Sequence, residues 1–110
     1  MGASGPALQG IHVDVHLFSL ESGPALGLSI SLGKAPLLVV AVPQGYVMCG
    51  YLNMETANRL GDCAARVTGV SSFDGLLAAQ ITAVSDAAKT QGLHEGMTAR
   101  EFLNALGKNR

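Results

Sequence analysis

The sequence predicts an α+β fold, with N-terminal antiparallel β-hairpins and a mixed sheet packed with three to four short helices. Alternating apolar and polar residues, followed by a β-branched run, fill the first half of the chain. Short segments with helix-capping residues fill the second half. Strands and helices are thus segregated rather than interleaved, which argues against a wound α/β sheet.

Residues 1–9, MGASGPALQ, are small and are expected to form a flexible N-terminus. One α+β domain is expected over 10–107, with 10–33 as a β-hairpin oligomerisation region and 35–107 as the core. In the first strand Ile11, Val13, Val15 and Leu17 alternate with His12, Asp14 and His16. Glu21-Ser22-Gly23-Pro24 is turn material. The second strand sets Leu26, Leu28, Ile30 and Leu32 against Gly27, Ser29 and Ser31. A face of Gly and Ser invites close approach by another sheet or chain, since glycine within a strand often marks such contact.

Leu37 to Val42 is continuously apolar, as expected of a central strand buried on both faces. Pro43-Gln44-Gly45 predicts a tight hairpin into a strand over Tyr46 to Tyr51. Asn53 can cap a helix from Met54 to Leu60, with Glu55 in its first turn and Gly61 ending it. Cys63 to Val70 returns as a strand. Ser71 or Ser72 caps a helix holding Phe73, Leu76 and Leu77, and Gln80 to Val84 forms a last short strand. Ser85 caps a third helix that ends at Gly92. Thr98-Ala99-Arg100-Glu101 has the pattern of a capping box, opening a helix whose Phe102, Leu103 and Leu106 face the core. A polar fray follows from Gly107.

The 110 residues suit one domain. Only 14% are charged while 48% are apolar, against roughly a quarter charged in typical domains. Such a surface is most cheaply covered by copies of the same chain, so a homo-oligomer is expected. Net charge is −1 without a basic run, which disfavours nucleic acid and anionic membranes as partners. Residues 1–10 lack a signal-peptide pattern, and Pro6 stands where a myristoylation motif following Gly2 wants Ser or Thr. The longest apolar run, Pro36 to Pro43, is too short to span a bilayer. A cytoplasmic location is expected, with Cys49 and Cys63 as free thiols.

The motifs CGYLN at Cys49 to Asn53, Gly61-Asp62, Gly69-Val70, FDGLL from Phe73, and GMTAREFLNAL from Gly96 to Leu106 resemble the uncharacterised DUF1805 (YunC-like) family. The resemblance covers about Leu37 to Leu106. It implies a small α+β fold that tetramerises through its N-terminal β region, and it implies no known activity. Gly75 stands where such proteins often have an acidic residue, which weakens a paired-carboxylate site there.

Cys49 is the leading candidate for chemistry, because a thiol beside Gly50 and near a helix start can be held as thiolate by backbone amides. Its plainer role is that of a buried apolar side chain. Asn53 could contact a ligand, although capping would consume its side-chain oxygen. Asp62 could orient its turn, meet Cys49 or Arg66, or join Asp74 in supplying oxygens to a hard cation, although two scattered carboxylates fall short of a cage. His12, Asp14 and His16 form an HxDxH run whose members share one strand face. A polar outer face or an intersubunit contact explains that run more simply, and no metal is expected. His94 and Glu95 read as loop residues. No phosphate-cradling glycine loop is present, and Ser71, Ser72 and His94 make no nucleophile elbow. Three functions follow from these readings. The leading one is a non-catalytic oligomer binding a small ligand or ion beside Cys49, Asn53 and Asp62. A thiol-dependent enzyme or redox protein using Cys49 is the alternative, and a purely structural subunit is the third.

Overall fold

Residues 12–108 are described by the structure, a computed structural model. Among them, six strands form one mixed sheet in sequence order. They are β1 (Val13–Leu20), β2 (Gly23–Ile30), β3 (Leu37–Val42), β4 (Gly45–Met48), β5 (Ala64–Arg66) and β6 (Ala83–Val84). All neighbours pair antiparallel except β4 and β5, which are parallel. The helices are α1 (Met54–Leu60), α2 (Phe73–Ala78), α3 (Asp86–Lys89) and α4 (Ala99–Lys108). The α+β expectation holds. The expectation for residues 1–9, Ile11 in the first strand and the final Asn109-Arg110 lie outside the described residues.

Parallel neighbours need a crossover, and α1 supplies it between β4 and β5. Each α1 terminus is capped as the residue types require. The Asn53 side chain accepts from the Thr56 N–H, and Gly61 takes a left-handed φ of 78°. Ser72 and Ser85 cap α2 and α3. Thr98 and Glu101 exchange side-chain-to-backbone bonds of 3.1 and 2.9 Å at the start of α4.

The sheet's two faces are covered unequally. On the inner face, Leu38, Val40, Val47, Ala65 and Val67 pack with Leu76 and Leu77 of α2 and Phe102, Leu103 and Leu106 of α4. On the outer face, α1 covers only the β4–β5 end, through Leu52, Ala57 and Ala64 with Tyr46, Met48 and Met54. That leaves the outer side chains of β1 and β2 open: Val13, Val15, Leu17 and Leu26 are 57, 60, 81 and 47% exposed.

Three boundaries and one burial pattern differ from expectation for identifiable reasons. The first turn is only Glu21-Ser22, with Gly23 and Pro24 inside β2. Pro24 sacrifices no ladder bond to β3, because that pairing begins at Leu26 opposite Ala41. The β3 strand is buried on one face only, its Leu37, Val39 and Ala41 being half-buried, because α1 stops short of it. Pairing along β4 ends at Met48, and β5 is three residues long because its parallel pairing with β4 ends there too, at Arg66.

The small-residue face of β2 also finds its neighbour within the chain. A Cβ on Gly27 would run into the rings of Phe18 and Phe73. These two rings meet edge to face at 5.3 Å, and His16 lies 5.1 Å from Phe73. Gly27 is therefore glycine because an aromatic lid from β1 and α2 presses on its backbone.

Candidate functional site

The β4 strand carries Cys49 just past its last paired residue, and Leu52 closes the following turn by donating to the Cys49 carbonyl at 3.0 Å. The thiol is 5% exposed. Its sulfur accepts from the Leu38 N–H at 3.4 Å and lies 3.9 Å from the Pro36 carbonyl, which accepts from the S–H. Around it is a hollow of about 270 Å³ lined by Ala35, Pro36, Gly50, Tyr51, Thr68, Gly69 and Val70. The Tyr51 hydroxyl bridges its rim by donating to the Ala35 carbonyl at 3.3 Å. The lining is mainly apolar, with a thiol and two hydroxyl-bearing side chains and no ionic group. It suits a small, mostly uncharged molecule, which the thiol could orient by a weak hydrogen bond.

Asp62 belongs to a different place. Parallel pairing sets Tyr46 opposite Ala64 and Met48 opposite Arg66, so Asp62 lies at the start of β4, whereas Cys49 lies beyond its end. At ~3.3 Å per residue the strand separates the two by about 10 Å or more along its axis. Asp62 and Cys63 line a second hollow of about 300 Å³ with Gln44, Gly45 and Tyr46. There the Tyr46 hydroxyl donates to Asp62 Oδ2 at 2.7 Å. Burial, the hydrogen bond to the carboxylate and the carboxylate's charge all oppose phenolate formation, so the Tyr46 hydroxyl is pushed up to about 12. Burial likewise pushes up the Cys63 thiol, helped by the Asp62 charge, while the Gln91 side-chain amide that donates to its sulfur at 2.9 Å works in the opposite direction. Cys63 is thereby kept as a thiol and disfavoured as a nucleophile.

The three proposed site residues therefore do not converge. Cys49 alone lines the first hollow and Asp62 the second, while the Asn53 oxygen is engaged by Thr56 at 3.1 Å. Asp74 lies in the first turn of α2 and Glu55 in that of α1. His12, just before β1, and Asp14 and His16 on it are exposed, and the His94 ring is bonded to the adjacent Glu95 carbonyl at 2.8 Å. Among the described residues, no three His, Cys, Asp or Glu side chains cluster as metal ligands would. No described helix is long and apolar enough to cross a membrane.

Sequence reasoning missed Tyr46, which organises the second hollow, and the full role of Ser85. The Ser85 hydroxyl is completely buried. It donates to the Asp62 carbonyl at 2.6 Å and accepts from the N–H groups of Ala64 and Ala88 at 2.9 and 3.4 Å. The capping signal located Ser85, but nothing local announced its bonds to residues more than 20 positions away.

Comparison with known proteins agrees with this architecture. The family model "Domain of unknown function (DUF1805)" matches residues 48–106. The uncharacterized protein YunC of Bacillus subtilis is 35% identical over 93 residues, which is 81% of this chain and 92% of that protein. A crystal structure of a protein of unknown function, TA1206 from Thermoplasma acidophilum, superposes with a TM-score of 0.85 at 37% identity. That match covers 89% of this chain and 96% of the other.

Proposed function

This chain belongs to the DUF1805 family, and on that premise we propose that it is a homo-oligomeric, tetrameric protein that binds a small, largely uncharged ligand in the hollow beside Cys49. The observation that carries the ligand reading is the hollow itself, which places a buried thiol against an apolar lining open to solvent. Asn53 and Asp62 lie outside it, so the ligand-binding role narrows to Cys49 and its neighbours. The exposed apolar face of β1 and β2 supports assembly, with residues 10–33 as the oligomerisation region, because water-exposed Val and Leu gain free energy when covered. Two free thiols fit a cytoplasmic location.

A thiol-dependent reaction is the second reading, favoured by the Leu38 N–H that donates to the Cys49 sulfur. Against it, no cationic side chain lines the hollow to act on the thiol. Native mass spectrometry combined with iodoacetamide labelling of Cys49 near neutral pH separates these readings. The proposal expects a tetramer with a retained small molecule and labelling limited by unfolding. Rapid native-state labelling would replace it with the enzyme reading. Neither rapid labelling nor a retained molecule would leave a purely structural subunit.

A further inference from the structure

We propose that the hollow at the start of β4 is a second binding site, separate from the one beside Cys49, and that it takes a small primary ammonium ion through Asp62 and Gln44. Its volume of about 300 Å³ lies at the lower end of the range for small-molecule pockets. Gln44, Tyr46 and Asp62 line it beside Ala41, Val42 and Pro43, so polar and apolar groups share its wall.

Two acceptors in this hollow lack donors. The Gln44 side-chain oxygen is buried and has no hydrogen-bond partner among the described residues. Such an oxygen has lost its hydration without compensation, which destabilises the fold until an ion, a ligand or a water supplies a donor. The half-buried Asp62 carboxylate accepts one hydrogen bond, from the Tyr46 hydroxyl to Oδ2 at 2.7 Å. Among the described residues its other oxygen receives no donor, and no Lys or Arg pairs with it.

The carboxylate is also held in place. The Asp62 N–H donates to the Ala57 carbonyl at 3.0 Å, and the Asp62 carbonyl accepts from the buried Ser85 hydroxyl at 2.6 Å. With its backbone tied on both sides and its side chain oriented by Tyr46, Asp62 has little freedom left to lose on binding.

Chemistry selects the occupant. The missing groups are donors and the charge to be matched is negative, so the complement is a cation bearing N–H groups. Hydrogen bonds to an ionised partner are about twice as strong as neutral ones, so an alcohol gains less here than an ammonium ion, and an anion is repelled. A guanidinium grips a carboxylate by both oxygens, and Tyr46 already competes for one of them. An ammonium group carries three donors and can serve Asp62 and Gln44 at once. A divalent metal fits worse, because Asp62 is the one carboxylate among the lining residues and burial keeps Cys63 a protonated thiol. Ala41, Val42 and Pro43 offer apolar surface to the carbon chain of an alkylamine.

Titration of the full chain with n-butylamine, followed by amide NMR near neutral pH where an alkylamine is protonated, tests the site. Matched titrations use n-butanol and butyrate. The expected result is that butylamine shifts the amides of Gly45 and of Gly61 to Cys63 saturably, while the alcohol and the acid leave them in place. Asp62→Asn keeps an oxygen for the Tyr46 hydroxyl but removes the charge, and should weaken binding at least about tenfold. Gln44→Ala should weaken it about two- to tenfold, and it decides the matter alone if Asp62→Asn does not fold. An equal response to all three compounds, no response to butylamine, undiminished binding in either variant, or shifts confined to Cys49–Tyr51 overturns the proposal. None of these outcomes bears on the hollow beside Cys49 except the last, which would assign the amine to it.

Discussion

Tyr46 donates a hydrogen bond to Asp62 from a phenol that is pushed up to about 12, against its ordinary 10.0. Because the folded chain holds this proton more tightly than the unfolded chain, the folded state binds more protons between those two values. Stability contributed by Tyr46 is therefore fully present below pH 10 and is lost as pH rises from about 10 to about 12. Urea titrations across that range should show the midpoint falling for the native sequence and falling less for Tyr46→Phe. Equal slopes would mean that the hydrogen bond contributes nothing to the folded state. No sequence pattern marks this pair, since the two residues are 16 positions apart and meet only because β4 and β5 are parallel. Cys49 was legible as a candidate because a thiol at a strand end beside glycine is conspicuous in any chain. Its separation from Asp62 depends on the same parallel pairing and could not be read locally.

Helix starts were the most legible elements. Asn53, Ser72, Ser85 and Thr98 all cap as expected, because a cap is settled within four residues of chain. Strand lengths were less legible, because β5 extends only as far as β4 accompanies it. Ser85 stands between these cases, its hydroxyl tying the start of α3 to Asp62 and Ala64 before and within β5. Replacing Ser85 by Ala removes a cap and leaves the buried Ala64 N–H without its acceptor. The expected cost is about 2–3 kcal/mol, the sum of a typical cap and an unsatisfied buried donor. Chemical denaturation should register that loss with an unchanged m-value. A loss below about 0.5 kcal/mol, less than a typical cap contributes, would show that water replaces the hydroxyl at no cost.

At the scale of the whole molecule, alternation along β1 and β2 was plain in the sequence, but the direction each face takes was not. The Gly and Ser face, expected to be approached closely by another sheet or chain, lies at Gly27 under Phe18 and Phe73 of its own chain. The leucine face is the one left open. Period-two patterns sort side chains into two sets and leave open which set the helices will cover. The two faces should respond differently to charge. Leu26→Lys is expected to shift the oligomer to smaller species in sedimentation velocity, whereas Ser29→Lys should leave the distribution largely intact. The reverse outcome would assign assembly to the small-residue face.

The short β6 strand, two residues at the far margin of the sheet, has a consequence for how growth stops. A long edge at each side would let subunits add end to end without limit, as in a fibre. Among the described residues one margin is extended and the other is a stub, so only one margin offers a long row of backbone groups to another strand. Sideways growth is thereby confined to one side of the sheet.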